Sequence, residues 1–446
     1  MRFCNHCIDP ACSPRIFVIT LAVLLAGAGT LPAAAEPPAQ DDEYLARARE
    51  LLSRVPLIDG HNDLAHTIVL NHDAEPGRVD LKERQPMLAA DMPRLREGMV
   101  GGQFWAAFAE SDTMRTDTEL ETALTAIDVV RQFVSAYDDL ELADTADDLE
   151  RIFAAGRIGS MIGVEGGHMI NNQLAVLRLF YELGARYMTL THFRSTDWAD
   201  SATDMPLHGG LTEFGEQVVR EMNRIGMFVD LSHVSDDTMR DALRVTRAPV
   251  LYSHSSARGV NPHRRNVPDD ILQLVADNGG VVMVNFIGGY VAPTRAEWER
   301  IYGTDAMRET MISMLTGWEP LWAVRSHDML ERLRAELDDD AEIARRHELW
   351  AEANPVPRGT LSDVADHIEH IVDVAGVDHV GIGSDFFDSG TPSMAEGLEN
   401  VTRYPYLVAE LLRRGHNDDE VSKIIGLNVL RALRQVETVA DEMSQY

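Results

Sequence analysis

Short apolar runs with little internal alternation recur along the chain, at 55–64, 99–108, 158–164, 187–192, 227–233, 248–254, 280–286 and 379–385. Continuous apolar runs of this length are the mark of strands buried on both faces. The stretches between them carry apolar residues at helical spacing, and predict helices over 43–54, 116–137, 145–155, 173–183, 211–225, 235–247, 269–277, 361–375, 395–414 and 418–436. Punctuation agrees with this reading. Thr212 and Ser235 stand where N-caps belong, Pro268 starts a helix in the N1 manner, and Gly156 and Gly415 follow helix ends. Eight strands alternating with helices predict a (β/α)8 TIM barrel. The competing doubly wound sheet calls for a Gly-x-Gly-x-x-Gly loop after its first strand, and none is present. The segment 292–359, rich in Trp, Arg and Glu and without a strand signal, is expected to be a helical insertion or lid.

The 446 residues allow one large domain or two modest ones, and the strand count favours a single barrel domain over 36–446. A formal charge of −32, with lysine only at Lys82 and Lys423, argues against nucleic acid or anionic membranes as partners. An apolar run at 16–30 follows Arg2 and Arg15 and leads to Ala33, Ala34 and Ala35, which predicts a cleaved signal peptide over 1–35 and a periplasmic or secreted protein. A retained anchor is the alternative. Cys4, Cys7 and Cys12 all precede that run, so the processed chain is expected to hold no disulfide, and no later stretch is long and apolar enough to span a bilayer.

The chemistry lies where the strands end. His61, Asp63, Glu165, His192, His233, His254 and Asp385 close six of the eight runs. A lone histidine at a strand end is more often structural, but a barrel converges all these ends on one mouth. Imidazoles and carboxylates without thiolates suit a catalytic divalent ion such as zinc. Three imidazoles and two carboxylates exceed one tetrahedral ion with an open position, so two ions sharing a carboxylate, with a bridging hydroxide as nucleophile, are expected. Asp385 then handles the proton.

These residues sit in stretches that resemble the membrane (renal) dipeptidases, the zinc-dependent M19 peptidases. The stretches are DGHNDL at 59–64, GVEGGH at 163–168, LTH at 190–192 with DWAD at 197–200, DLSH at 230–233, SHSSA at 253–257, RRNVPDD at 264–270 and MVNF at 283–286. The resemblance implies that His61 and Asp63 bind one Zn2+, that His233 and His254 bind the other, and that Glu165 bridges. It also implies that His192 stabilises the oxyanion, Arg265 grips the substrate's C-terminal carboxylate and Asp385 is the acid/base. A planar guanidinium takes a carboxylate bidentately, with Arg264 as the rival. The family's eighth strand usually ends in an Asp-Phe-Asp-Gly pattern where this chain has GSDFFDS, so Asp385 is assigned over Asp388. The chain ends without an apolar tail, so no lipid anchor is expected. The expected activity is hydrolysis of dipeptides with a free C-terminal carboxylate, a D-residue there being left open, by the chain alone or as a homodimer. Its rivals are another barrel amidohydrolase, disfavoured because neither lysine ends a strand and His-x-Asp replaces His-x-His, and a non-catalytic binding protein.

Overall fold

Among the described residues nine parallel strands lie in one sheet: β1 Leu57–Asn62, β2 Val100–Ala107, β3 Leu140–Leu142, β4 Ile158–Val164, β5 Ala185–Thr189, β6 Phe228–Asp230, β7 Leu251–Tyr252, β8 Val281–Val284 and β9 Val380–Ile382. The computed structural model describes residues 42–109, 118–292, 329, 332–337, 339–353, 358–387 and 393–445. The expected leader, Asp388 and residues 293–328 of the expected insertion therefore lie outside the described residues. Each strand pairs with its neighbour in the order β2-β1-β9-β8-β7-β6-β5-β4-β3, and a further pairing of β2 with β4 closes the ring. The closed barrel thus has eight staves. The ninth strand, β3, pairs with Ile158–Ser160 of β4, beside the stretch Ile162–Val164 that pairs with β5. Its three residues, Leu-Glu-Leu, are too short to show a pattern in the sequence.

Alternate residues of each stave face opposite ways, as the two-residue period of a strand requires. Ile58, Phe104, Met161, Tyr187, Phe228, Leu251 and Met283 form one buried cluster, the barrel interior, with Leu149, Ile152, Leu430 and Leu433. Their neighbours Leu57, Trp105, Ile162, Met188, Val229, Tyr252 and Val282 pack in the larger cluster against the outer helices. Gly163 makes room for the largest interior side chain: a Cβ there would stand 1.9 Å from Cζ of Tyr187.

The helices begin where their caps stand. Thr145, Thr212, Ser235 and Thr360 each accept a hydrogen bond from the amide three residues on, a contact worth about 1 kcal/mol per helix. Three expectations shift. Pro268 is the extended N-cap of Asp269–Asn278 rather than its first helical residue. Residues 395–400 are not helical: a single 3-10 turn, Val401–Arg403, capped by Asn400, precedes the helix Tyr404–Arg413, whose early Pro405 suits a helix start. The final helix is broken by a π turn at Lys423–Leu427 and runs on to Ser444. Within the expected insertion, Asp340–Ala353 is helical. Among the described residues no helix is long and apolar enough to cross a membrane.

Candidate metal centre

Every residue singled out at a strand end stands at the C-terminal mouth of the barrel. His61 is the penultimate residue of β1, Asp63 follows its end, Glu165 follows β4, and His192, His233, His254 and Asp385 lie two or three residues beyond β5, β6, β7 and β9. The register of β1 with β2 slips between Asp59 and Asn62, on either side of His61, the kind of irregularity that re-aims a side chain. His233 and Asp385 are held in the left-handed region, at φ 70° and 65°. Such backbone costs a non-glycine residue on the order of 1 kcal/mol or more, and clusters at functional sites.

Glu165 lies at the centre of the set. Its Oε1 is 2.9 Å from His233 Nε2, 3.2 Å from His254 Nε2 and 3.7 Å from His192 Nε2. Its other oxygen, Oε2, is 3.4 Å from His61 Nε2. His61 Nε2 in turn lies 3.4 Å from Asp63 and 4.0 Å from Asp385. Three overlapping groups of ligand atoms result: His61 with Glu165 and His254, Glu165 with His192 and His233, and His61 with Asp63 and Asp385.

All these side chains are buried, and burial governs their ionisation. It holds His192, His233 and His254 well below the usual imidazole range, so all three are neutral. Burial pushes His61 down too, but Tyr187, Glu165 and Asp63 beside it outweigh that and hold it well above the ordinary value. Burial raises Glu165 and pushes Asp385 up to about 8; His61 opposes both shifts, while Asp63 reinforces them. His61 Nε2 and Asp63 Oδ1 are buried without a hydrogen-bond partner among the described residues, and the Nε2 atoms of His233 and His254 face each other at 2.9 Å. Neutral nitrogens and carboxylate oxygens converging in this way are a ligand set for divalent ions such as zinc. The residues present fit that group.

Behind these residues stands a layer that the sequence did not single out. Tyr187 OH lies 2.7 Å from His61 Nδ1. Ser253 Oγ lies 2.8 Å from His254 Nδ1 and donates to Asp230. Asp59 accepts from Ser384 N and Oγ, Gln103 Nε2 and Tyr404 OH, which ties β1 to β2, β9 and the helix Tyr404–Arg413. Asp200 of the DWAD stretch accepts from the amides of Leu207, His208, Gly209 and Gly210, and so shapes the loop beyond His192.

Of the two neighbouring arginines, Arg264 is exposed and Arg265 is buried, at 1% relative exposure. Nε and Nη1 of Arg265 have no hydrogen-bond partner among the described residues, and its Cζ lies 5.2 Å from the ring centre of Tyr290. Its positive charge depresses His233 and His254 and pulls Glu165 and Asp385 downward, so it acts on the same cavity.

The family model for the membrane dipeptidases (peptidase family M19) matches residues 45–446. The chain is 38% identical over 418 residues to the dipeptidase verJ of Clonostachys rogersoniana, covering 91% of this chain and 90% of that protein. It shares its fold with the probable dipeptidase PvdM from Pseudomonas aeruginosa, at TM-score 0.69 and 22% identity, over 89% of this chain and 99% of that one. A metallopeptidase from Rhodobacter sphaeroides, solved with a phosphinate mimic of the dipeptide L-Ala-D-Ala, superposes at TM-score 0.63 and 23% identity, over 86% of this chain and 99% of that one.

Proposed function

The chain belongs to the membrane dipeptidase family, M19, and on that premise we propose that it is a binuclear zinc dipeptidase acting on substrates with a free C-terminal carboxylate. The observation that carries the binuclear part is the division of Glu165: one carboxylate oxygen faces His233 and His254, the other faces His61, with Asp63 beside it. Two ions bound on either side of that carboxylate would polarise the scissile carbonyl and acidify the attacking water.

The chain's own groups do the rest. Asp385 takes the proton from the water as its oxygen bonds to the carbonyl carbon, then delivers it to the amine nitrogen as the C–N bond breaks. Burial, reinforced by the Asp63 and Glu165 charges and opposed by His61 and Arg265, pushes Asp385 up to about 8; further positive charge held among Asp63, Glu165 and His61 would lower it into the range where it accepts a proton at neutral pH. His192, kept neutral by burial, donates N–H to the oxyanion as it develops. Arg265, buried with two nitrogens that have no hydrogen-bond partner among the described residues, holds the C-terminal carboxylate in two-pronged fashion. Acceptance of a D-residue at that position belongs to the same proposal, as does export directed by residues 1–35.

The test is elemental analysis with a panel of L,L and L,D dipeptides, run with and without a chelator. Two divalent ions per chain, with dipeptide turnover abolished by chelation and restored by zinc, are expected. A single ion in fully active protein overturns the binuclear mechanism, and turnover of amides or esters in preference to dipeptides overturns the substrate assignment.

A further inference from the structure

The turns after β6 and β7 are laced together by buried side chains that stand behind His254. His254 N–H donates to Ser232 Oγ at 3.1 Å, and Ser255 Oγ donates to the same atom at 3.2 Å. Ser253 N–H and Ser232 N–H both donate to Asp230 Oδ1, at 2.9 and 3.1 Å, and Ser253 Oγ donates to Asp230 Oδ2 at 2.5 Å. The main chain of Ser253 is wedged as well: a Cβ on Gly60 or Gly383 would stand 2.3 or 1.9 Å from its carbonyl oxygen. All five residues, Asp230, Ser232, Ser253, His254 and Ser255, are fully buried.

This lacing fixes where protons sit. Asp230 meets three donors, two of them main-chain amides with no alternative role, so its carboxylate acts only as an acceptor. The single proton of the Ser253 hydroxyl is thereby committed to Oδ2. Ser253 Oγ has only lone pairs left for His254 Nδ1, 2.8 Å away. The contact is complete only if His254 carries its proton on Nδ1, and the neutral ring then presents an Nε2 lone pair to Glu165 and His233.

We propose that Asp230 and Ser253 form a carboxylate–hydroxyl relay that sets the tautomer and orientation of His254, making both of them positioning residues for metal binding. His233 has no such brace among the described residues, since its Nδ1 is buried without a partner. The relay makes His254 the pre-set ligand of that pair. The inference rests on the metal-centre reading only for its purpose, because the tautomer itself belongs to the metal-free protein.

The experiment is imidazole 15N NMR of the full chain without metal, paired with Zn2+ titration against a chromophoric chelator. In the wild type, His254 is expected as the Nδ1–H tautomer. Asp230→Asn is the decisive variant. The two main-chain amides demand an oxygen at the Oδ1 position, which turns the new NH2 toward Ser253 and sends the hydroxyl proton to His254. The ring then flips to Nε2–H, and Zn2+ affinity falls by about 10- to 100-fold, the usual effect of losing an outer-shell partner. Ser253→Ala weakens Zn2+ binding to a similar extent with a mixture of tautomers, and Ser253→Thr restores both readouts. A wild-type His254 found as Nε2–H overturns the relay whether or not any variant folds. So does Asp230→Asn with tautomer and affinity unchanged. A wild type with Nδ1–H that binds no Zn2+ leaves the relay standing and overturns the metal-centre reading instead.

Discussion

Arg265 decides between a dipeptidase and a general amide hydrolase, and its environment sets the size of the effect. The guanidinium is 1% exposed, and Nε and Nη1 lack partners among the described residues. A substrate carboxylate seated there pairs a desolvated cation, and losing one side of such a pair costs about 2–5 kcal/mol. At about 1.4 kcal/mol per tenfold, that is roughly 30-fold to several-thousand-fold in kcat/KM. Arg265→Met keeps the bulk and removes the charge. It is expected to cause that loss on a free dipeptide and almost none on the same dipeptide amidated at its C-terminus, where wild type is already poor. Arg265→Lys recovers part of the loss, because an ammonium cannot offer two parallel N–H bonds. Arg264→Ala, at an exposed position, is the control and is expected to be mild. Thermal stability separates a clamp from a structural arginine: removing a buried cation with unpaired nitrogens leaves Tm unchanged or raises it. An acid-to-amide preference unchanged in Arg265→Met refutes the clamp, and a large fall in Tm assigns the residue to the fold instead.

Asp385→Asn is expected to lower kcat by roughly 100-fold or more while metal content by elemental analysis stays near wild type; asparagine tolerates the left-handed backbone at this position well, so lost metal would mark Asp385 as a ligand. Glu165→Gln removes the charge that faces both halves of the ligand set, and chelator competition is expected to show both ions bound more weakly, against only one if Glu165 serves a single ion. Tyr187→Phe takes the hydroxyl from His61 Nδ1 and is expected to weaken Zn2+ by about 10- to 100-fold with little change in Tm. His367 accepts from Ala257 N–H and contacts the carbonyl of Val291, and burial, the largest influence, pulls it down to about 4. Its folded pKa lies below its unfolded value of about 6.5, so the stability it contributes is full above that pH and is lost as pH falls toward 4, up to about 3 kcal/mol. Denaturant titrations of wild type and His367→Asn between pH 7 and pH 4.5 check this, and equal slopes in the two proteins would remove His367 from the account.

The fold was legible because the staves are apolar runs, six of which stop abruptly at a histidine or acid, and the candidate site was legible for the same reason. A histidine or acid that ends a buried strand shows itself without knowledge of its neighbours. What stayed hidden depends on partners far away in the chain. Asp59 is one more residue of the DGHNDL stretch until Ser384 and Tyr404, 325 and 345 residues on, are seen to donate to it. Tyr187 reads as one more core aromatic, and only the space beside Gly163 and the hydroxyl against His61 show another role. Asp230 and Ser253 lie inside stretches that the family resemblance quotes, yet nothing in either stretch says that one donates to the other. Pro268 and residues 395–400 misled for a local reason: a proline and an apolar spacing fit a helix start as well as the turn before it.

Burial alone does not separate the working carboxylates of this barrel from the structural ones. Asp59, Asp230, Glu165 and Asp385 are all deeply buried, and burial pushes all four up. The difference is in what they face. Asp59 and Asp230 are saturated by N–H and O–H donors from the adjoining staves, the turns after them and, for Asp59, the helix that begins at Tyr404, so each is settled where it stands. Glu165 faces imidazole nitrogens instead, three of them neutral, and beside it Asp63 Oδ1 and His61 Nε2, 3.4 Å apart, have no hydrogen-bond partner among the described residues. Carboxylates and neutral imidazoles gathered in a low-dielectric cavity are costly unless positive charge meets them, and within the chain His61 and Arg265 supply part of it. The saturated pair lies directly behind the unsaturated set, two residues before His61 on β1 and at the end of β6. The barrel therefore satisfies its outward valences with its own donors and leaves inward ones unmet, which is the arrangement the proposed metal centre and carboxylate clamp require.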